Sequence, residues 1–193
     1  MADMHHMIPH ILRWETGKIK SSTESYEEYF LRCKKSGYGN DPADLGGATM
    51  CGVTIATYRA WRKKKGIQST TVADLKAIPF QDWYMLLKET FWDKWRADEI
   101  KDQWLAEMVV DWMWGSGRYG ITEPQKVLGV VADGIVGKKT LAAINGHAVP
   151  KALWSELKSA RIKYYERICV QRPLNYKFLR GWKNRVNSQI YGV

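Results

Sequence analysis

The chain has 193 residues, 45% hydrophobic and 26% charged, which is enough for one domain or two small ones with a real core. This is the composition of a soluble globular protein, with no apolar run near membrane-span length, no internal repeat and no low-complexity tract. The formal charge is 30 minus 20, or +10, which favours anionic partners: nucleic acid, acidic glycans, cell-wall polymers or membrane surfaces.

In chain order, Ile8, Ile11, Leu12 and Glu15 fall at i, i+3, i+4 and i+7, one stripe of a short helix that Pro9 opens and Gly17 closes. Residues 18–36 form a polar, charged stretch in which Tyr26, Phe30 and Leu31 give a helix one weak apolar face. The Gly-, Asn-, Asp- and Pro-rich run from Gly37 to Thr49 reads as a loop or small hairpin. Met50 to Thr54 carries a short strand, and Thr54 caps a helix that holds Tyr58 and Trp61 and ends in the basic run Arg62–Lys65. Thr71 or Asp74 opens further helix. Trp83, Leu86, Leu87, Phe91 and Trp95 make one helical stripe; Leu105, Met108, Val109 and Trp112 make another, ended by Gly115-Ser116-Gly117. Pro124 is expected to start a short helix, Asp133-Gly134 to turn, and Thr140 to Ile144 to form one more helix. The longest helix opens at Pro150, with Leu153, Leu157, Ala160, Tyr164 and Ile168 on one face, and stops at Pro173. A last helix carries Phe178, Leu179, Trp182 and Val186. The expected fold is mainly α, with at most a small β-hairpin near residues 38–54, and the softest boundary lies near residues 97–103.

Cys33, Cys51 and Cys169 are odd in number and widely spaced, which argues against a disulfide framework or a zinc site and for buried thiols. His5, His6, His10 and His147 lack metal-ligand spacing. No metal or other cofactor is expected.

Glu15 sits on the apolar stripe, where partial desolvation favours a protonated carboxylic acid that can donate to a leaving group. Asp44 lies in the glycine-rich loop and Thr49 five residues beyond it. Glycosidic cleavage needs a proton donor on one face of the sugar and a carboxylate or activated water on the other. Spacing leaves plainer readings open: a boundary glutamate reaching to solvent, Asx-turns at Asp41 and Asp44, and a strand position for Thr49.

The run Tyr38-x-Asn40-Asp41-Pro42-Ala43-Asp44-x-Gly46-Gly47-Ala48-Thr49-x-x-Gly52-Val53-Thr54 resembles the signature of glycoside hydrolase family 108. These are N-acetylmuramidases of the lysozyme superfamily, found as phage endolysins and as secretion activator proteins. Phe91-Trp92-Asp93-Lys94, Asp111-Trp112 to Gly117, Val131-x-Asp133-Gly134-x-x-Gly137-x-x-Thr140-Leu141 and Gly181-Trp182-x-x-Arg185-Val186 resemble its C-terminal half. The resemblance implies a lysozyme-like helical fold, with a hydrolase region over 1–98 and a peptidoglycan-binding region over 99–193 packed into one fold. The family opens with a Glu-Gly-Gly-Tyr run; this chain has Glu15-Thr16-Gly17 and about twenty further residues before Gly37-Tyr38. Residues 18–36 then read as an insertion that leaves Glu15 in the acid's position. Glu24, Glu27 and Glu28, inside that solvated run, are expected to titrate ordinarily. Gly115 stands where the family commonly has asparagine.

The expected activity is hydrolysis of the β-1,4 bond between N-acetylmuramic acid and N-acetylglucosamine. Glu15 serves as acid, and Asp44 and Thr49 position water or stabilise positive charge. Tyr38, Asn40, Asp41, Asp111 and Trp114 are candidate substrate contacts, in a cleft between the first helix with its loop and the C-terminal helices. Trp83, Trp92 and Trp112 are expected in the core. The partner is peptidoglycan, bound by a monomer without membrane insertion. The N-terminus shows no basic segment followed by an apolar one, so synthesis in the cytoplasm and delivery to the wall by a non-classical or holin-like route are expected. Two alternatives are a catalytically silent wall-binding or secretion-associated protein of the same fold and a nucleic-acid binder. The latter is weakened by dispersed basic residues and the lack of a nucleic-acid motif.

Overall fold

The computed structural model describes residues 1–40 and 47–192. The chain divides into two compact units, one of residues 5–90 and the other of residues 1–4 with 91–193. The division falls before the expected boundary, inside a π turn over Lys88–Trp92.

The 5–90 unit begins with α1 (Met7–Thr16) and α2 (Tyr26–Lys34). On α1, Ile8, Ile11 and Leu12 are fully buried, each contributing about 1.5–3 kcal/mol. Gly17 adopts φ 71° and donates its N–H to the Arg13 carbonyl at 2.8 Å, which ends the helix in the left-handed turn that glycine permits. Ser25 and Glu28 close a reciprocal capping box at the start of α2. The buried face of α2 is Tyr29, Phe30 and Cys33, while Leu31 is exposed. Of the expected face Phe30 is buried, Tyr26 half-buried and Leu31 exposed; Cys33 and Tyr29, whose hydroxyl donates to the Lys18 carbonyl at 2.6 Å, complete it.

Three short antiparallel strands follow: β1 (Tyr38–Gly39), β2 (Thr49–Met50) and β3 (Val53–Thr54), in the order β1-β2-β3. This is one strand more than a hairpin. Tyr38 pairs with Met50, Gly39 with Thr49, and Met50 with Val53. The two-residue turn between β2 and β3 places Cys51 at φ 47° and Gly52 at φ 80°, the doubly left-handed geometry that matches strand twist. A non-glycine residue there costs about 1–2 kcal/mol; the Trp83 indole N–H, which donates to the Cys51 carbonyl at 3.0 Å, helps to hold it. Thr54 then caps α3 (Ile55–Lys64), and Thr71 with Asp74 caps α4 (Val72–Ala77) before α5 (Phe80–Leu87).

The stripe from Trp83 to Trp95 is not one helix. After Leu87 the π turn and two 3-10 turns, Asp93–Trp95 and Ala97–Glu99, take over, and Arg96 stands at φ 51°. Every residue of the stripe is buried, but Trp83, Leu86 and Leu87 fall within residues 5–90, and Phe91 and Trp95 in the other unit.

That other unit holds α6 (Gln103–Ser116), α7 (Tyr119–Val127), α8 (Lys138–Asn145), α9 (Pro150–Gln171) and α10 (Tyr176–Ser188). Helices α6, α7 and α9 pack against one another, and α10 packs on α9. Helix α7 begins five residues before Pro124 instead of at it. Proline deprives the carbonyl four residues back of its helical donor. Here that carbonyl belongs to Gly120, and it accepts the Trp95 indole N–H at 3.1 Å instead. Gly120 is also where α7 comes closest to α6: a Cβ there would sit 2.2 Å from the Met113 Cα. The three cysteines are free and buried. No helix among the described residues is long and apolar enough to cross a membrane.

Candidate active site

Glu15 occupies the last turn of α1, half-buried, three residues beyond Leu12 at the end of the buried stripe. Its neighbour Thr16 donates its hydroxyl to the Leu12 carbonyl at 2.6 Å and also hydrogen-bonds the Cys33 side chain. Cys33 in turn borders Gly37 and Cys51: a Cβ on Gly37 would lie 2.6 Å from the Cys51 Sγ and 3.0 Å from the Cys33 carbonyl oxygen. The ends of α1 and α2 and the β2–β3 turn thus form one packed cluster. Burial pushes the Cys51 thiol up to about 12, and the Cys33 and Glu15 side chains add to the rise electrostatically.

Gly37 is where this cluster is tightest. Gly37→Ala is expected to destabilise the 5–90 unit by about 1–3 kcal/mol, read as a lower urea midpoint with an unchanged slope.

On β2, Thr49 is half-buried and its hydroxyl donates to the Gly39 carbonyl at 3.3 Å. Tyr38 is exposed, with the Lys76 ammonium 4.1 Å from its ring centroid. Asn40 is exposed as well. Asp41 and Asp44 lie outside the described residues; the Gly39–Thr49 pair joins the chain on either side of them. Two of the rival glutamates, Glu24 and Glu28, do not titrate ordinarily. A hydrogen bond from Arg32, then one from the Ser21 backbone, hold Glu24 below the usual carboxylate range, and the Ser25 backbone and hydroxyl do the same for Glu28. Such groups are ionised at neutral pH and make poorer acids.

Asp111 and Trp114 belong to the other unit. Trp114 is half-buried, its ring 4.8 Å from that of Phe91 and tilted by 50°. Asp111 has no exposed surface. Arg161 donates from Nη1 to its Oδ2 at 2.8 Å and Arg185 from Nη2 to its Oδ1 at 2.7 Å, so a sugar contact would require the carboxylate to leave both guanidiniums. Arg161, itself fully buried, also donates to the Tyr165 hydroxyl at 3.0 Å. Sequence reasoning placed Arg185 in a C-terminal motif and left Arg161 unnamed, and it missed both as partners of Asp111. The available signal was an aspartate ending an apolar helix, which must find a cation if buried, and an arginine in step with Leu153 and Leu157 on α9. Trp83, Trp92 and Trp112 are fully buried, as expected. Among the described residues no cluster of His, Cys, Asp or Glu suits a metal ion.

The chain is mainly helical, with a small antiparallel sheet, and its fold is lysozyme-like. The model of the glycosyl hydrolase 108 family matches residues 30–117, and that of a predicted peptidoglycan domain matches residues 119–187. The chain is thus similar to the glycosyl hydrolase 108 family over residues 30–117 and to a peptidoglycan domain over residues 119–187. The matched span takes in Tyr38, Asp44, Thr49, Asp111 and Trp114, and begins after Glu15. The chain is similar to the structure of Brucella abortus SagA, with 27% identity, a TM-score of 0.71, and coverage of 95% of this chain and 88% of that one. No curated protein matches the sequence. The matched peptidoglycan domain supports peptidoglycan as the partner and the cell wall as the place of action.

Proposed function

We propose that this protein is an N-acetylmuramidase that hydrolyses the β-1,4 bond between N-acetylmuramic acid and N-acetylglucosamine in peptidoglycan. Glu15 protonates the bridging oxygen as the bond to the anomeric carbon breaks. Thr49 holds the attacking water, and Asp44 orients it or stabilises the positive charge that develops on the sugar ring. The observation that carries this reading is the half-buried Glu15 at the end of α1, in the same compact unit as Tyr38 and Thr49. Tyr38 and Asn40, exposed at the edge of the sheet, are the sugar contacts of this unit. Trp114 offers a partly open indole face, on which sugar C–H groups pack well. Asp111 supports the fold of the second unit.

The test is mass analysis of digested peptidoglycan. Reducing-end muramic acid is the expected product. Anhydro-muramic ends would instead mean that the muramic acid's own hydroxyl had attacked, the lytic transglycosylase outcome, and would remove water activation from the roles of Asp44 and Thr49.

A second reading is a wall-binding or secretion-associated protein without catalysis. The feature in its favour is that the matched span begins at residue 30, past Glu15, where the family's Glu-Gly-Gly-Tyr run is replaced by Glu15-Thr16-Gly17. Zymography on wall-embedded gels separates the two: the hydrolase clears a zone, and the silent protein binds without clearing.

A further inference from the structure

Helix α3 ends in a dense run of positive charge, and the fold divides that charge into two classes. Arg62 pairs with Asp74 at 3.6 Å and lies over the Tyr58 ring; Lys65 pairs with Glu89 at 2.6 Å and lies over the Trp61 ring. These two cations are neutralised within the 5–90 unit. Arg59 and Lys63, four residues apart and so on one helix face, are both exposed. Neither pairs with a carboxylate among the described residues. Together with Ala60, Gln68, Ser69 and Thr70 they line a concavity of about 350 Å³.

The concavity is pre-formed. The loop after α3 folds back on the helix end: Gly66 at φ 85° donates its N–H to the Lys63 carbonyl at 3.0 Å, and the Ile67 N–H donates to the Arg62 carbonyl at 3.0 Å. Arg59 donates from Nε to the Thr70 carbonyl at 2.9 Å. That bond fixes the plane of the guanidinium and leaves its Nη edge for a ligand, so little side-chain entropy remains to be lost on binding.

We propose that this concavity is an anion subsite for a phosphate group carried by an envelope polymer or lipid, separate from the hydrolytic residues. The chemistry selects phosphate over carboxylate. A carboxylate has two oxygens, and a single arginine fork satisfies both. Here Arg59, Lys63, Gln68 and Ser69 line one hollow, and the donors these residue types carry suit the three or four oxygens of a phosphate. One exposed subsite of this kind binds weakly, with Kd for a single phosphate on the order of millimolar. A polymer with regularly spaced phosphates gains through effective concentration, and the chain's charge of +10 assists its approach.

The test is a nitrogen-15 NMR titration of the full chain with inorganic phosphate at fixed ionic strength, with chloride as the blank. Saturable shifts are expected at the Lys63, Gln68, Ser69 and Thr70 amides and at the Arg59 side-chain N–H. Lys63→Gln removes no bond internal to the described fold and is expected to raise Kd about threefold; adding Arg59→Gln should raise it about tenfold in all. Glu15→Gln should leave the titration unchanged, which keeps the subsite distinct from the muramidase reading. Two further arms identify the source of the phosphate: poly(glycerol phosphate) chains, and phosphatidylglycerol vesicles against phosphatidylcholine vesicles. Binding weakened by Lys63→Gln in either arm supports the subsite and names its ligand. Shifts spread evenly over all basic surfaces without saturation, or a Kd indifferent to Lys63→Gln, would overturn it.

Discussion

Glu15→Gln is expected to lower the release of reducing ends from purified peptidoglycan by roughly a hundredfold to ten-thousandfold, the usual contribution of a positioned general acid. The substitution keeps size and shape and removes only the transferable proton. An amide can hydrogen-bond the bridging oxygen in the ground state, so the loss should fall on kcat with KM nearly unchanged. The fold should survive, because Ile8, Ile11 and Leu12 supply the buried stripe of α1 and the Gly17 turn ends it without help from Glu15. Far-ultraviolet circular dichroism and the urea midpoint check that point. Wall pull-down should also persist, since the peptidoglycan-binding region is matched over residues 119–187. Undiminished lysis by this variant would move the proton donor elsewhere. Glu24 is then a poor replacement, because its hydrogen bond from Arg32 favours the ionised form.

Local chemistry made much of this architecture legible. The Ile8-Ile11-Leu12 spacing, the Gly17 stop, the Thr54 cap and the Thr71/Asp74 start act through groups within four residues of each other, and the folded chain uses each of them. The misses share a different cause: each depends on a partner distant in sequence. Pro124 reads as a helix start until Trp95 is available to take the Gly120 carbonyl. Leu31 reads as core, but the face that α2 buries takes in Tyr29, whose hydroxyl donates to the Lys18 carbonyl. Arg161, in step with Leu153 and Leu157 on α9, has no evident task until Asp111, fifty positions away, needs a counterion. The candidate site divides in the same way. Glu15, Tyr38 and Thr49 fall in one compact unit, Asp41 and Asp44 lie outside the described residues, and Asp111 is held by the second unit's helices.

Asp111→Ala is the substitution expected to damage the fold most. Asp111 on α6 joins Arg161 on α9 and Arg185 on α10, and both of its oxygens are engaged. Removing it leaves a fully buried guanidinium with no counterion and opens a gap among three helices. Breaking one side of such a pair costs about 3–5 kcal/mol, a large share of the roughly 5–15 kcal/mol that holds a domain together. The urea midpoint of the second unit should fall accordingly, and wall binding should fall with it. The cause can be separated from any sugar contact by replacing the whole triad with apolar residues, Asp111→Leu with Arg161→Met and Arg185→Met. Exchanging a buried ion cluster for packed side chains of similar volume is often neutral or stabilising, so the triple variant should recover most of the midpoint and, with it, wall binding. An Asp111 that contacted sugar would behave in the opposite way: the single variant would keep its midpoint and lose affinity, and the triple variant would regain nothing.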